Sequence, residues 1–164
     1  IKIKIMEFIS EDTIKKMLSS KEAYLKNDPY PFIIIDNFLK EDFAKACSEN
    51  FSEISEGWIS YKHFNQNKRG NQSYIKKNYL ISNLTKYLNS NAFIKILKVM
   101  TNYGDLKGDN SLDGGGLHET REGGYLNIHT DFQNHTNFPN LQRKINLLLY
   151  FDNDTKNMKN ANLE

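Results

Sequence analysis

The sequence is short of several residue types, and each shortage excludes a class of protein. Cys47 is the only cysteine, so no disulfide can form within the chain and a reducing compartment is expected. No apolar run approaches the roughly 18 residues that a membrane-spanning helix needs. The first residues are too few and too charged for a signal peptide, and a start at Ile1 indicates an incomplete N-terminus. We therefore expect a soluble, cytoplasmic protein with no membrane partner.

An excess of charge of one sign is also missing. The 22 Lys and Arg residues nearly balance the 20 Asp and Glu residues, which gives a net charge of +2. Such a balance gives no reason to expect nucleic acid or an anionic membrane as a partner. With 164 residues, 38% of them hydrophobic, the chain can form the core of one domain at most.

The N-terminal part of the chain predicts a helix, a turn and a strand in that order. Ser10 can cap a helix over residues 10–27, which carry apolar side chains at three- and four-residue steps. The two prolines of residues 28–31 then predict a turn. The β-branched, apolar run at residues 32–35 predicts a buried strand.

A second helix and a long loop follow. The helix is predicted over residues 41–53, with Cys47 on its apolar face as an inert core thiol. Residues 56–79 predict a long loop with room for a hairpin, and loops of this length are usually functional or mobile. Its His63 has no partner at ligand spacing and is given no role. Three aromatic side chains of the loop can either line a groove or simply pack beneath it: Trp58, Tyr61 and Tyr74.

Two more helices are predicted before the glycine-rich stretch, both against the outside of a β-sheet. Ser82 is expected to cap the first. The second begins after a break at residues 89–91 and carries the apolar stripe Phe93, Ile94, Leu97 and Met100. Residues 105–113 are rich in turn formers.

The most distinctive stretch begins at residue 114, where two glycine clusters precede an alternating segment. These glycines are read as bends and close backbone approaches in a sheet, because no strand-then-helix setting makes them a phosphate cradle. In an extended strand, residues two apart share a face, so His129 and Asp131 would point the same way, with Tyr125 on the same face. An imidazole and a carboxylate can bind one ion as two of the three ligands in the 2-His-1-carboxylate set.

The next segment is a polar loop followed by an apolar run. His135 lies in the loop and is expected to be solvated rather than a ligand. Residues 143–152 predict a strand with apolar residues on both faces, as in the interior of a sheet. Tyr150 shares a face of that strand with Asn146 and Leu148.

These runs resemble the core of the 2-oxoglutarate and Fe(II)-dependent oxygenases, and most closely their prolyl 4-hydroxylase-like branch. The specific match covers about residues 106–154, and residues 31–39 resemble the opening strand of that branch. The matching runs are Gly-Gly-Gly-Leu-His at 114–118, Gly-Gly-Tyr-Leu at 123–126, His-Thr-Asp-Phe at 129–132 and Arg-Lys-Ile-Asn-Leu-Leu-Leu-Tyr at 143–150.

The resemblance implies an α+β fold, a double-stranded β-helix (a cupin-like jelly roll) with flanking N-terminal helices. Residues 1–164 would form a single oxygenase domain. Its parts would be a helical segment at 1–30, an outer strand with supporting helices at 31–105, and the first part of the β-helix core at 106–164.

The resemblance also implies an activity and its cofactors. His129 and Asp131 would hold Fe(II), and O2 and 2-oxoglutarate would be consumed to hydroxylate an unactivated C–H bond. The substrate would be a small molecule or a peptide, with peptidyl proline as the leading candidate, and ascorbate would serve as reductant.

Three further residues have two interpretations each. The position of Tyr150 implies a phenol that binds the distal carboxylate of 2-oxoglutarate, and the alternative is an ordinary core tyrosine. Tyr125 either lines the co-substrate pocket or only packs. His118 either lines that pocket or caps the turn at Glu119.

One departure from the family pattern bears on activity. The family's second metal histidine, and the Lys or Arg that binds 2-oxoglutarate, come from strands downstream of the position of Tyr150. None follows here, so the chain is expected to be a C-terminally truncated piece, incomplete in its β-helix and inactive by itself.

Two alternatives remain open. A non-catalytic, cupin-like β-barrel binding module would share the sheet and the glycines, but it would have no use for His129 and Asp131 together. A zinc hydrolase using His118, His129 and Asp131 is disfavoured, because no Glu occupies an obvious general-base position beside them.

Overall fold

The computed structural model describes residues 8–151, which form helices and one small antiparallel sheet. The predicted α+β class is therefore confirmed. The helices are α1 (Glu11–Ser19), α2 (Lys21–Lys26), α3 (Glu41–Ser52), α4 (Ser73–Lys77), α5 (Tyr79–Leu88) and α6 (Asn91–Thr101). The strands are β1 (Ile59–His63), β2 (Gln66–Asn71), β3 (Leu117–Glu119) and β4 (Tyr125–Leu126). None of the helices in this range is long and apolar enough to cross a membrane.

The chain divides into two compact units. The first contains the residues up to 47 together with residues 79–111, and the second contains residues 48–78 together with those from 112 onward. The first unit is helical, and the second contains the sheet.

The N-terminal helix of the first unit begins as predicted but ends early. The Ser10 hydroxyl accepts a hydrogen bond from the backbone N–H of Thr13 at 3.0 Å, which confirms the cap. The single helix predicted over residues 10–27 is wrong, because the chain breaks at Ser20 into α1 and α2. The Ser20 hydroxyl donates to the Lys16 carbonyl at 2.6 Å, so its side chain competes with the helix for backbone partners.

The core of the first unit forms around Phe93, which is fully buried. Its ring lies 5.5 Å from that of Tyr87 and edge-on to Phe38. Cys47 is also fully buried, on the apolar face of α3 as predicted, and burial raises the pKa of its thiol to about 12.

The strand predicted at residues 32–35 is absent from the structure. This segment joins no sheet, and Ile34 is 69% exposed. A β-branched run forms a strand only when a neighbouring strand satisfies its backbone groups. No described strand pairs with it, and the Phe32 carbonyl instead accepts a hydrogen bond from the Asn27 side chain at 2.8 Å.

The helices α5 and α6 are separated by the predicted break, but their caps differ from the prediction. Ser82 lies inside α5, which already begins at Tyr79, so the predicted cap is wrong. Ser90 caps α6, since its hydroxyl accepts from the N–H of Phe93 at 3.3 Å. The predicted apolar stripe of α6 is confirmed as buried: Phe93, Ile94, Leu97 and Met100.

The second unit contains the hairpin for which the sequence left room. β1 and β2 pair antiparallel from Ile59 opposite Gly70 to His63 opposite Gln66, and a two-residue turn joins them. β3 and β4 both pair antiparallel with β2, one beside each half of its length. Because β1 already pairs with β2 on one side, β3 and β4 share the other edge.

The later strands predicted from the sequence are mostly absent. β4 ends at Leu126, so His129 and Asp131 lie beyond it, and residues 143–151 belong to no sheet. An interior strand needs partners along both edges, and residues 8–151 supply none for this run. Within those residues the sheet has four strands, fewer than a complete double-stranded β-helix requires.

The two serine positions give a direct test of the helix boundaries. Ser90→Ala removes the α6 cap and should lower the free energy of unfolding by about 1 kcal/mol. Ser82→Ala should leave it unchanged or raise it slightly, because alanine is the better residue inside a helix. Urea unfolding measures both, and a larger loss for Ser82→Ala would place the helix start where the sequence alone suggested it.

The buried thiol gives a second test. At pH 8, Cys47 should react with a maleimide only as fast as the protein unfolds, whereas the urea-unfolded chain should react at once. Its folded pKa lies above the unfolded value, so deprotonation should reduce stability only as the pH rises above about 9. Rapid labelling of the folded protein at pH 8 would contradict this placement.

Candidate metal centre

The structure brings His129 and Asp131 together, although not on a strand. Nε2 of His129 lies 3.4 Å from Oδ1 of Asp131. Both side chains are partly exposed, so an ion from solvent can reach them. The predicted convergence of imidazole and carboxylate is present in space, whereas its expected cause, an extended β-strand, is not.

The hydrogen bonding of His129 determines which ring nitrogen is free. Nδ1 lies 2.8 Å from the carbonyl oxygen of Asn127. A carbonyl oxygen can only accept, so Nδ1 carries a proton, and in the neutral ring Nε2 presents a lone pair. Nε2 faces Oδ1 of Asp131, so the two atoms can share a proton, as an ion pair of the protonated ring, or a metal ion.

The separation of these two atoms fits two ligands of one metal ion. Bonds of about 2.1 Å that meet at 90° to 109° place the donor atoms about 3.0 to 3.4 Å apart. The observed 3.4 Å lies at the upper end of that range. Across residues 8–151 no group of three or more His, Cys, Asp and Glu side chains could hold a metal, so His129 and Asp131 stand as a pair.

The second oxygen of Asp131 is engaged by two donors. Nη1 of Arg143 donates to Oδ2 at 2.8 Å, and the Asn146 side-chain amide donates to it at 3.3 Å. These bonds direct Oδ1 toward His129. Neither Arg143 nor Asn146 was predicted from the sequence to have a role at the site, and the one available signal was that Arg143 is among only three arginines.

Arg143 is itself held in place from two sides. Its guanidinium carbon lies 4.1 Å from the centre of the Phe132 ring, a cation–π contact. Nη2 donates to the carbonyl of Asp113 at 3.1 Å. The arginine therefore presents a fixed donor to Asp131.

Gly114 provides the space for this arrangement. Its φ is +68°, and a Cβ there would lie 2.5 Å from the Phe132 ring and 2.6 Å from Nη2 of Arg143. The conformation and the crowding each require glycine. The predicted close backbone approach of the glycine cluster is confirmed at this position.

The two tyrosines that were predicted to contact the co-substrate differ in their surroundings. The Tyr125 hydroxyl donates to the carbonyl of His63 at 3.0 Å. Tyr150 is 68% exposed, and burial of part of its ring raises the pKa of the phenol. The roles of both residues toward 2-oxoglutarate stay predictions.

His118 lines a cavity rather than capping a turn. The cavity has a volume of about 250 Å³, and Tyr61 and the glycines 114–116 also line it. Desolvation and the positive charge of Lys68 lower the pKa of His118, and the negative charge of Asp131 opposes them. The role of His118 toward the co-substrate stays a prediction.

Of the three loop aromatics, Tyr61 shares a cavity with the candidate site residue His118. Trp58 packs, since its indole N–H donates to the Ile54 carbonyl at 3.0 Å and Arg69 lies over its ring. Tyr74 lines a separate cavity of about 310 Å³. The groove interpretation therefore fits Tyr61 best.

Glu119, the last residue of β3, bonds to two arginines. Its desolvation would raise the pKa of the carboxyl, but the hydrogen bonds and charges of Arg69 and Arg121 outweigh it and lower that pKa. The ion pair with Arg69 links β2 to β3.

His135 is a structural residue and not a solvated one. Its side chain is only 7% exposed, and its Nδ1 accepts hydrogen bonds from the N–H groups of Asn137 and Phe138 at 3.0 and 3.2 Å. The expectation of a solvated loop residue is wrong, because this imidazole satisfies the backbone of its own turn.

The glycines allow the crowding at Gly114 to be measured. Gly114→Ala and Gly123→Ala introduce the same backbone strain, since the two φ angles are +68° and +73°, but nothing lies within 4 Å of a Cβ at Gly123. Gly114→Ala should therefore lose about 1 to 3 kcal/mol more stability than Gly123→Ala in urea unfolding. Equal losses would show that Phe132 and Arg143 are not held against this glycine.

No protein family, curated protein or solved structure matches this chain.

Proposed function

We propose that this chain forms part of a 2-oxoglutarate- and Fe(II)-dependent dioxygenase of the prolyl 4-hydroxylase-like type, built on a double-stranded β-helix. The reaction would hydroxylate an unactivated C–H bond of a peptide, with peptidyl proline as the leading candidate, or of a small molecule. The single observation that carries the proposal is the convergence of His129 Nε2 and Asp131 Oδ1 at 3.4 Å, with Nδ1 of the same ring bound to the Asn127 carbonyl.

The donor set is compatible with iron, and the resemblance to the oxygenases is what selects iron among the metals that imidazole and carboxylate bind. One imidazole and one carboxylate are two of the three ligands of a 2-His-1-carboxylate site, which leaves positions open for co-substrates. A structural zinc site instead closes four protein ligands around the ion. A third protein ligand, and the Lys or Arg that binds 2-oxoglutarate, would have to come from outside residues 8–151.

Each residue of the pair has a defined task in this proposal. When bound, Fe(II) supplies the oxidative decarboxylation of 2-oxoglutarate that is coupled to hydroxylation, with ascorbate keeping the metal reduced. His129 offers a neutral nitrogen donor, and Asp131 offers one oxygen and a negative charge. Because Arg143 engages Oδ2, Asp131 would offer Oδ1 to the ion.

The co-substrate and substrate contacts are proposed from the resemblance. The exposed hydroxyl of Tyr150 would bind the distal carboxylate of 2-oxoglutarate, and Tyr125 would line the same pocket. A buried dianion needs such donors at each end. The single, buried Cys47 suits a cytoplasmic protein.

The two alternatives are distinguishable from this proposal. A cupin-like binding module would keep its ligand after loss of His129 or Asp131. A zinc hydrolase would need His118 as a third ligand, but within residues 8–151 it forms no metal-binding group with the other two.

Metal binding tests the proposal first. His129→Ala and Asp131→Ala should each weaken binding of Co(II), an air-stable substitute for Fe(II), at least about 100-fold in calorimetry, because each removes one of two ligands. Asp12→Ala is the matched control for Asp131→Ala, since Asp12 is an exposed carboxylate of the helical unit that pairs with Lys15. In the protein expressed from the full reading frame, 2-oxoglutarate-dependent succinate release should vanish with the same two variants. Unchanged turnover in His129→Ala would defeat the proposal.

A further inference from the structure

We infer that Asn127 is a positioning residue, which couples the β1–β2 turn to His129 and holds the imidazole in the tautomer that a metal requires. The inference rests on the proposed function, because it concerns the same metal site. Four hydrogen bonds connect the turn to the imidazole.

The β1–β2 turn offers three successive carbonyl groups, and residues 125–127 bind all of them. The Tyr125 hydroxyl donates to the His63 carbonyl at 3.0 Å. The Asn127 side-chain amide donates to the Phe64 carbonyl at 3.3 Å, and the Asn127 backbone N–H donates to the Asn65 carbonyl at 2.9 Å. Asn127 is thus fixed to the turn by both its main chain and its side chain.

The fourth hydrogen bond passes from Asn127 to the candidate ligand. The Asn127 carbonyl accepts from Nδ1 of His129 at 2.8 Å. The N–H bond fixes the peptide plane before Asn127 and the side-chain bond fixes its Cβ, so ψ of residue 127 is the one backbone torsion left to set the direction of its carbonyl. That carbonyl keeps the ring proton on Nδ1 and leaves Nε2 free toward Asp131.

The β1–β2 turn, rather than a longer strand, holds the backbone that precedes His129. Strand pairing on this side of β2 ends at Leu126, so no ladder fixes the backbone at His129 and Asp131. Without the bonds to residues 63–65, the segment would have no regular partner to set its direction. The hydrogen bonds of Asn127 therefore replace strand register as the source of the ligand geometry.

Side-chain variants can weaken this coupling without touching either ligand. Asn127→Ala removes the bond to the Phe64 carbonyl, Tyr125→Phe removes the bond to the His63 carbonyl, and the double variant removes both. Asn67→Ala is the matched control, because its side-chain amide makes an equally long bond of 3.3 Å to a backbone carbonyl of the same sheet, that of Gly123, which does not lead to His129.

Two measurements distinguish a positioning role from a merely structural one. Long-range proton–nitrogen NMR of the metal-free protein reports which nitrogen of His129 carries the proton, and calorimetry with Co(II) alone reports affinity. The wild type and Asn67→Ala should show the proton on Nδ1. Asn127→Ala should show a mixture of tautomers and bind Co(II) about tenfold more weakly, and the double variant should bind more weakly still.

The outcomes separate the inference from the proposed function. If Asn127→Ala and the double variant keep the Nδ1 tautomer and the wild-type affinity, the inference is overturned while metal binding stands. If the protein expressed from the full reading frame binds no Co(II), the proposed function fails, and an Nδ1 tautomer lost in Asn127→Ala would still support the coupling. Should Asn127→Ala fail to fold by circular dichroism, Tyr125→Phe, which removes a single oxygen, decides the question by the same two measurements.

Discussion

The hydrogen bond from Nδ1 of His129 to the carbonyl of Asn127 is the interaction on which the rest of the site depends. It places the ring proton on one nitrogen and turns the other, with its lone pair, toward Asp131. The Asp131 carboxylate is oriented in a similar way, because Arg143 and Asn146 donate hydrogen bonds to Oδ2 while Oδ1 faces His129. The imidazole and the carboxylate are thus held at a separation suited to one cation.

The position of that hydrogen bond follows from the way the sheet is assembled around β2. β1 occupies one edge of β2, and β3 and β4 share the other, so the β1–β2 turn lies beside the end of β4. Residues about 60 positions apart in the chain therefore meet there. On the side of Asp131, the glycine at 114 lets Phe132 and Arg143 approach the backbone closely.

The helices could be predicted from the sequence because their determinants are local. Ser10 caps α1, the apolar residues of α6 recur at helical spacing, and Cys47 lies on the buried face of α3, all within a few residues of their partners. The failures at Ser20 and Ser82 are errors of boundary, where one hydroxyl or one extra turn changes the outcome.

The strands and the surroundings of the site could not be predicted as well, for a physical reason. A run such as residues 32–35 has the composition of a strand, but whether it forms one depends on a partner that the run itself does not specify. The spacing of His129 and Asp131 did predict their convergence. Arg143 and the turn at residues 63–65 were not predicted to belong to the site. Their contacts with residues 127–131 form only when separate segments of the chain fold together, and such contacts leave no periodic pattern in the sequence.

The most direct measurement is a crystal structure of this chain soaked with Mn(II), which mimics Fe(II), with anomalous diffraction recorded to locate the ion. The account predicts one ion bonded to Nε2 of His129 and Oδ1 of Asp131 at about 2.0 to 2.2 Å, with Nδ1 still bound to the Asn127 carbonyl. An ion bound elsewhere, or a His129 ring turned so that Nδ1 faces Asp131, would contradict it.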